Sequence, residues 1–175
     1  LIDRPCVRVS SFGSLSHFRR DNAPSGSTER CLDGCAVEKQ CPYSAMKIYM
    51  QADSEAWSRF ITTDTTREGI VRALKEGPYG RCVYRCDNDV VDHQVVNMEF
   101  AGGVTASFSM SGFTHECTRY VQIMGTHGEI RGYMEDNRLS VYSFAAKDRT
   151  DIVLSPAGES HGGGDEELMS AFLRE

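Results

Sequence analysis

The sequence predicts an α+β domain: a large, mostly antiparallel β-sheet with helices packed on one face. Three observations carry this reading. Residues 93–111 alternate apolar and polar positions with a period of two, helical stripes lie on either side of the strand-rich stretch, and no strand is followed by a G-x-G-x-x-G turn and a helix. The last point argues against a doubly wound nucleotide-binding fold.

The elements follow in order. Residues 1–30 read as irregular or strand-like, with the turn-rich segment NAPSGST at 22–28. A helix is expected from Pro42, carrying Ala45, Met46, Ile48 and Tyr49. A second is expected from near Thr65, with Ile70, Val71 and Leu74 on its apolar face and Gly77-Pro78 at its end. In HQVVNMEF, Val96, Met98 and Phe100 share one face, and Val95, Asn97 and Glu99 the other. Gly102-Gly103 predicts a hairpin turn into VTASFSMS. There Val104, Ala106, Phe108 and Met110 form an apolar side, and Thr105, Ser107, Ser109 and Ser111 a polar one. RYVQIMG, EIRGYM, RLSVYSF and DIVLS supply further strands, with a turn at Asp136-Asn137. A last helix is expected from about Asp165, striped by Leu168, Met169, Phe172 and Leu173.

Composition narrows the function classes. The 175 residues are 40% apolar and 25% charged, enough for a real core in an ordinary globular chain. A net charge of −6 argues against a broad nucleic-acid surface and against an anionic membrane surface. No apolar run approaches the roughly 18–20 residues of a membrane span. Seven cysteines, an odd and unevenly spread number, suit free or metal-bound thiols in a reducing, cytoplasmic setting better than a secreted disulfide framework. The chain lacks an initiator Met and stops within a helical pattern, so it reads as a fragment of a longer protein.

Cys31, Cys35 and Cys41 fall within eleven positions. One reading is a tetrahedral zinc site, with Cys82 or Cys86 as fourth ligand, although C-x3-C-x5-C is not the usual C-x2-C knuckle. On an extended strand Cys82 and Cys86 would share a face. Small buried hydrophobes, a disulfide and a reactive thiol are the alternatives. In CDNDVVDHQ, Asp89, Asp92 and His93 enter a strand from a loop, a common place for pocket residues. The adjacent Asp92 and His93 would face opposite sides of a strand, and the aspartates could instead satisfy turn N–H groups. His17, with Arg19 and Arg20 beside it, and His161, ahead of three glycines, are further pocket candidates. Trp57, Tyr49 and Met50 read as core, and nothing in the pattern gives His115 or His127 a role.

The segments SFGSLSHFR, CPYSAMKIY, GRCVYRCDNDVVDHQVVNMEFAGGVTASFSMS, IMGTHGEIRG and HGGGDEELMSAF, in that order, resemble the C-terminal domain of the Gfo/Idh/MocA oxidoreductases, the glucose–fructose oxidoreductase and inositol dehydrogenase family. The resemblance covers nearly the whole chain. It implies that residues 1–175 form one substrate-binding and oligomerisation domain with a glyceraldehyde-3-phosphate dehydrogenase-like antiparallel sheet. It further implies a missing N-terminal Rossmann domain that binds NAD or NADP and carries the family's catalytic lysine. The expected substrate is a sugar or cyclitol-like polyol, and the fragment alone is expected to be inactive. Homo-oligomers are expected through the open sheet face bearing Thr105, Ser107, Ser109 and Ser111. The family's helical Asp-x-x-x-His pair is replaced here by Cys31 and Cys35, so its imidazole role does not carry over. A metal-stabilised dimerisation or small-ligand module without catalysis is the competing expectation, and a cysteine redox sensor a third.

Overall fold

Alternating sequence and glycine turn produce the expected hairpin. β2 (His93–Phe100) and β3 (Val104–Ser111) pair antiparallel, with Val96 opposite Phe108, Met98 opposite Ala106 and Phe100 opposite Val104. Gly102 and Gly103 both adopt positive φ between the strands, a conformation that L side chains resist. β1 (Cys6–Ser14) joins the other edge of β2 and places Val9 beside Met98. This computed structural model describes residues 2–51, 55–154 and 164–174, divided into two units, Leu1–Phe113 and Thr114–Glu175.

Among the described residues of the first unit, three α-helices precede the hairpin: α1 (Ala45–Met50), α2 (Glu55–Ser58) and α3 (Arg67–Glu76). α1 starts three residues later than Pro42 suggested, because Ser44 takes the N-cap and its hydroxyl accepts from Lys47 N at 3.4 Å. Thr66 caps α3 in the same way, accepting from Gly69 N at 3.1 Å. Gly77 N closes the last turn on Ala73 O at 2.7 Å. Two residues of the expected α3 stripe, Ile70 and Leu74, are buried with Ala45, and Cys31, Leu32, Met46, Tyr49, Met50 and Ile61 pack around them; Val71, the third, is only partly buried and lies outside this cluster. Trp57, expected in the core, is 54% exposed.

Arg30 ties the cysteine loop to this helical core. Its guanidinium donates to Leu74 O at 2.8 Å and to Gly77 O, meeting the carbonyl end of the α3 dipole. Among the described residues, the helices of this unit make their main contacts with one another rather than with a strand. The expected layer of helices on a sheet face is thus a separate helical cluster. Phe12, Val9 and Phe108 remain exposed on the three-stranded sheet.

The second unit is a four-stranded antiparallel meander of β4 (Tyr120–Met124), β5 (Gly128–Tyr133), β6 (Arg138–Ser143) and β7 (Asp148–Val153). Asn137 makes the β5–β6 turn in the left-handed region, as the Asp-Asn pair predicted. Ile123, Ile130 and Val141 align on one face; Gln122, Arg131, Ser140 and Asp151 align on the other. On that polar face Asp151 accepts from Ser140 and Arg149, while Glu129 pairs with Arg131. α4 (Gly164–Phe172) follows, its predicted stripe of Leu168, Met169, Phe172 and Leu173 exposed.

One large sheet was expected, and two smaller ones form. Pairing stops at Ser111 because residues 112–119 lack the alternation that holds a ladder; Thr114 instead donates to Glu116 O in a local turn. No helix among the described residues is long and apolar enough to cross a membrane.

Candidate functional site

Asp92 sits at the mouth of the three-stranded sheet, just ahead of β2, and is 5% exposed. Its backbone continues the ladder: Asp92 N donates to Ser14 O at 3.0 Å, and Asp92 O accepts from Gly112 N at 2.8 Å. Its carboxylate collects the loop that leaves β1. Oδ2 accepts from Ser16 N at 2.9 Å, His17 N at 2.6 Å and Phe18 N at 3.4 Å, and Oδ1 accepts from Ser16 Oγ at 3.2 Å. Oδ1 also lies 2.8 Å from His93 Nδ1. Burial alone would raise this carboxyl group's pKa; the N–H groups of His17, Phe18 and Ser16 and the His93 imidazole outweigh it and hold the pKa well below the usual carboxylate value.

That ionisation fixes one proton. A carboxylate only accepts, so the His93 Nδ1 that faces Oδ1 carries a proton and donates it. Adjacent residues on an ideal strand point to opposite faces. Here Asp92 lies one residue outside β2, and its side chain reaches the His93 ring. The imidazole itself is half-exposed at the strand end.

His17 is positioned by the same carboxylate through its backbone N–H. Its ring lies edge-on to Phe18, Tyr43, Tyr84 and Phe113, at centroid distances of 5.1, 5.8, 5.3 and 5.4 Å. His17 Nε2 lies 3.1 Å from the Tyr84 hydroxyl. Tyr84 is buried, and desolvation, followed by its neighbour Tyr43, pushes its phenol pKa up, so the O–H stays protonated. Asp92 therefore organises two imidazoles, one half-exposed and one in an aromatic nest. Tyr43, Tyr84 and Phe113 escaped the sequence reading because they come from three distant segments with no shared period. The crowding of Cys82, Tyr84 and Cys86 in GRCVYRC was the available hint.

The cysteines converge in part. Cys31, Cys35, Cys41 and Cys82 all line one cavity of about 20 Å³, together with Glu38, Tyr43 and Tyr84. Cys31 N donates to Gly80 O and Cys82 N to Glu29 O around the Arg30–Arg81 bridge, which sets these two thiols on the same side of a short ribbon. Cys86 does not line the cavity. It lies in a turn rather than on the strand suggested by its spacing, and its Sγ donates to Cys82 O at 3.2 Å. All seven thiols are free, and burial raises the Cys31 pKa. Among the described residues no three His, Cys, Asp or Glu side chains are already gathered as a metal cage.

Asp89 is exposed beside a turn in which Asn88 Oδ1 accepts from Val90 N. Arg19 pairs with Asp21, and Arg20 with Glu29, both at the surface. Thr105, Ser107, Ser109 and Ser111 are exposed along β3. His161 lies outside the described residues. Comparison of the chain with family models, with curated proteins and with solved structures finds no match.

Proposed function

We propose that this chain is the substrate-binding and oligomerisation domain of an NAD(P)-dependent oxidoreductase acting on a sugar or cyclitol-like polyol. The observation that carries the reading is Asp92 holding both His93 and the His17 loop at the open end of a sheet. Polyols are bound by hydrogen-bonding groups set against aromatic faces, and the His17–Tyr84 pair beside Tyr43 and Phe113 offers that chemistry. The order of motifs that resembles the Gfo/Idh/MocA C-terminal domain supports the same class.

In this proposal His93 Nε2 takes the proton of a substrate hydroxyl, and Asp92 stabilises the imidazolium that forms. His17 and Tyr84 orient neighbouring hydroxyls. A dinucleotide, if held by a separate Rossmann domain, would supply the acceptor for the hydride of the same carbon. Both described sheets are antiparallel, and the chain lacks the glycine-rich strand–turn–helix that cradles a pyrophosphate. The polar β3 face is the proposed oligomer surface.

Calorimetric titration of the chain with a panel of cyclitols, hexitols and pyranoses tests the reading. At least one should bind, and His93→Ala and His17→Ala should each weaken it by about tenfold or more. Cys117→Ser should leave it unchanged. Polyol binding indifferent to both histidine substitutions would refute the assignment.

A further inference from the structure

We propose that Cys31 and Cys82 form a dithiol–disulfide modification site that regulates the polyol pocket, oxidation drawing Tyr84 away from His17. The regulation rests on the polyol reading; the disulfide and its effect on His17 do not. Four of the seven cysteines, Cys31, Cys35, Cys41 and Cys82, line one cavity of about 20 Å³, room for roughly one water molecule, so these thiols stand close together. The backbone singles out one pair among them. Cys31 N donates to Gly80 O and Cys82 N to Glu29 O on either side of the Arg30–Arg81 bridge, so Cys31 and Cys82 are diagonal neighbours on one side of a ribbon. Burial raises the Cys31 pKa, and of the thiols that add to the rise Cys82 comes first, ahead of Cys41 and Cys35.

The same cavity touches the candidate site. Tyr43 and Tyr84 line it, and both also pack edge-on against the His17 ring, at centroid distances of 5.8 and 5.3 Å. Tyr84 lies two residues beyond Cys82, and its hydroxyl is 3.1 Å from His17 Nε2. Diagonal neighbours in a ladder have Cα atoms about 7–8 Å apart, whereas a disulfide holds them within about 7 Å. Closing the bond therefore draws the two segments together by roughly 1 Å, and Tyr84 moves with Cys82. A displacement of about 1 Å takes the Tyr84–His17 contact past hydrogen-bond range. The Asp92 carboxylate holds the His17 backbone and the His93 ring from another segment, so that pair keeps its place.

The step balances with a low-molecular-weight disulfide as the oxidant. Cys31, the more exposed of the pair, loses its proton and attacks one sulfur of that disulfide, displacing a thiol and leaving a mixed disulfide. Cys82 then attacks the Cys31 sulfur and releases the second thiol. The protein gives up two electrons and two protons, and the two released thiols carry them. Burial keeps the Cys31 thiol protonated at neutral pH, so exchange is slow and the reduced pair is the resting state. Closure strains the ribbon, which keeps the bond easily reduced, as a reversible switch requires.

Incubation of the reduced full chain with glutathione disulfide, followed by alkylation, digestion and mass analysis, tests the site. A peptide linked through Cys31 and Cys82 should form, and should disappear on addition of dithiothreitol. The His17 imidazole NMR signal should move on oxidation and return on reduction, with the His93 signal unmoved. Oxidation should weaken binding of the polyol found by calorimetry by about tenfold. Cys31→Ala and Cys82→Ala should each abolish these effects, while Cys117→Ser leaves them intact. Mixed disulfides without a Cys31–Cys82 link, or a link with the His17 signal unmoved, overturn the proposal. Polyol bound equally in both forms overturns the regulation and leaves the polyol reading standing. The link and the His17 shift in a chain that binds no polyol confirm the modification site and refute the polyol reading. The linkage and NMR readings use the unsubstituted chain, so a variant that fails to fold does not blur the result.

Discussion

Leu74→Ala probes the junction on which both the helical core and the cysteine loop depend. Leu74 is fully buried and meets Ile70 and Ala45, with Cys31, Leu32 and Tyr49 packed around the same cluster. The substitution removes three carbons, about 2.5 kcal/mol of transfer free energy at roughly 0.8 kcal/mol each. The neighbours are only partly able to collapse inward, because Arg30 holds the Leu74 carbonyl from the loop side. A residual void of about 40 Å³ adds about 1 kcal/mol, for a loss near 3.5 kcal/mol in all. Urea denaturation followed by far-UV circular dichroism reads this directly, as a lower midpoint at constant slope. The thermal midpoint should fall by about 10 °C. Cys31 should also alkylate faster, since its burial is shared with Leu74. A loss under about 1 kcal/mol with Cys31 reactivity unchanged would refute the packing argument.

Further expectations bear on the other contacts. Asp92→Asn replaces an acceptor of several N–H groups by an amide that presents its own donors, so the Ser16, His17 and Phe18 amides should exchange at least about tenfold faster; unchanged protection would exclude the clamp. Acid stability has a definite sign. Asp92 and Asp151 both have folded pKa values below the ordinary 3.8, Asp151 at about 2 through Arg149 and then Ser140. Their stabilisation is present above about pH 4 and is lost as pH falls through the folded values, so Asp151→Asn should flatten the acid limb between about pH 4 and 2 in denaturation experiments. Arg30→Gln should cost about 1–2 kcal/mol, because the Leu74 carbonyl of α3 and that of its C-cap Gly77 lose a charged donor. Gly80→Ala should cost about 2–3 kcal/mol, since the added Cβ would stand 1.8 Å from Leu74 O; a neutral effect would mean the α3 end is not held this closely.

Local signals in the sequence were strong where one period ruled one element. The β2–β3 hairpin, the Ile70 and Leu74 stripe of α3 and the Asn137 turn are legible from spacing and turn chemistry, while the α3 cap falls on Thr66, one residue after the expected Thr65. Two features were not. β1 earns its place only by pairing with β2 some eighty residues later, and its own residues, CVRVSSFGS, alternate weakly. The break between the sheets depends on a stretch lacking pattern, which alternation on either side conceals. The candidate site divides in the same manner. Asp92, His93 and His17 stand out by residue type, whereas the aromatic nest arises from tertiary convergence of Tyr43, Tyr84 and Phe113. The choice of Cys82 over Cys86 at the cavity follows from a two-residue bridge that no periodicity announces.

The most direct test of the proposed function is an NMR titration of the chain with ¹³C-labelled histidines, adding first the best-binding polyol and then NAD and NADP. The account predicts that the polyol shifts the His93 and His17 imidazole signals, that Asp92→Asn abolishes the His93 shift, and that neither dinucleotide binds. Tight dinucleotide binding to these residues, with both imidazoles indifferent to polyol, would contradict it.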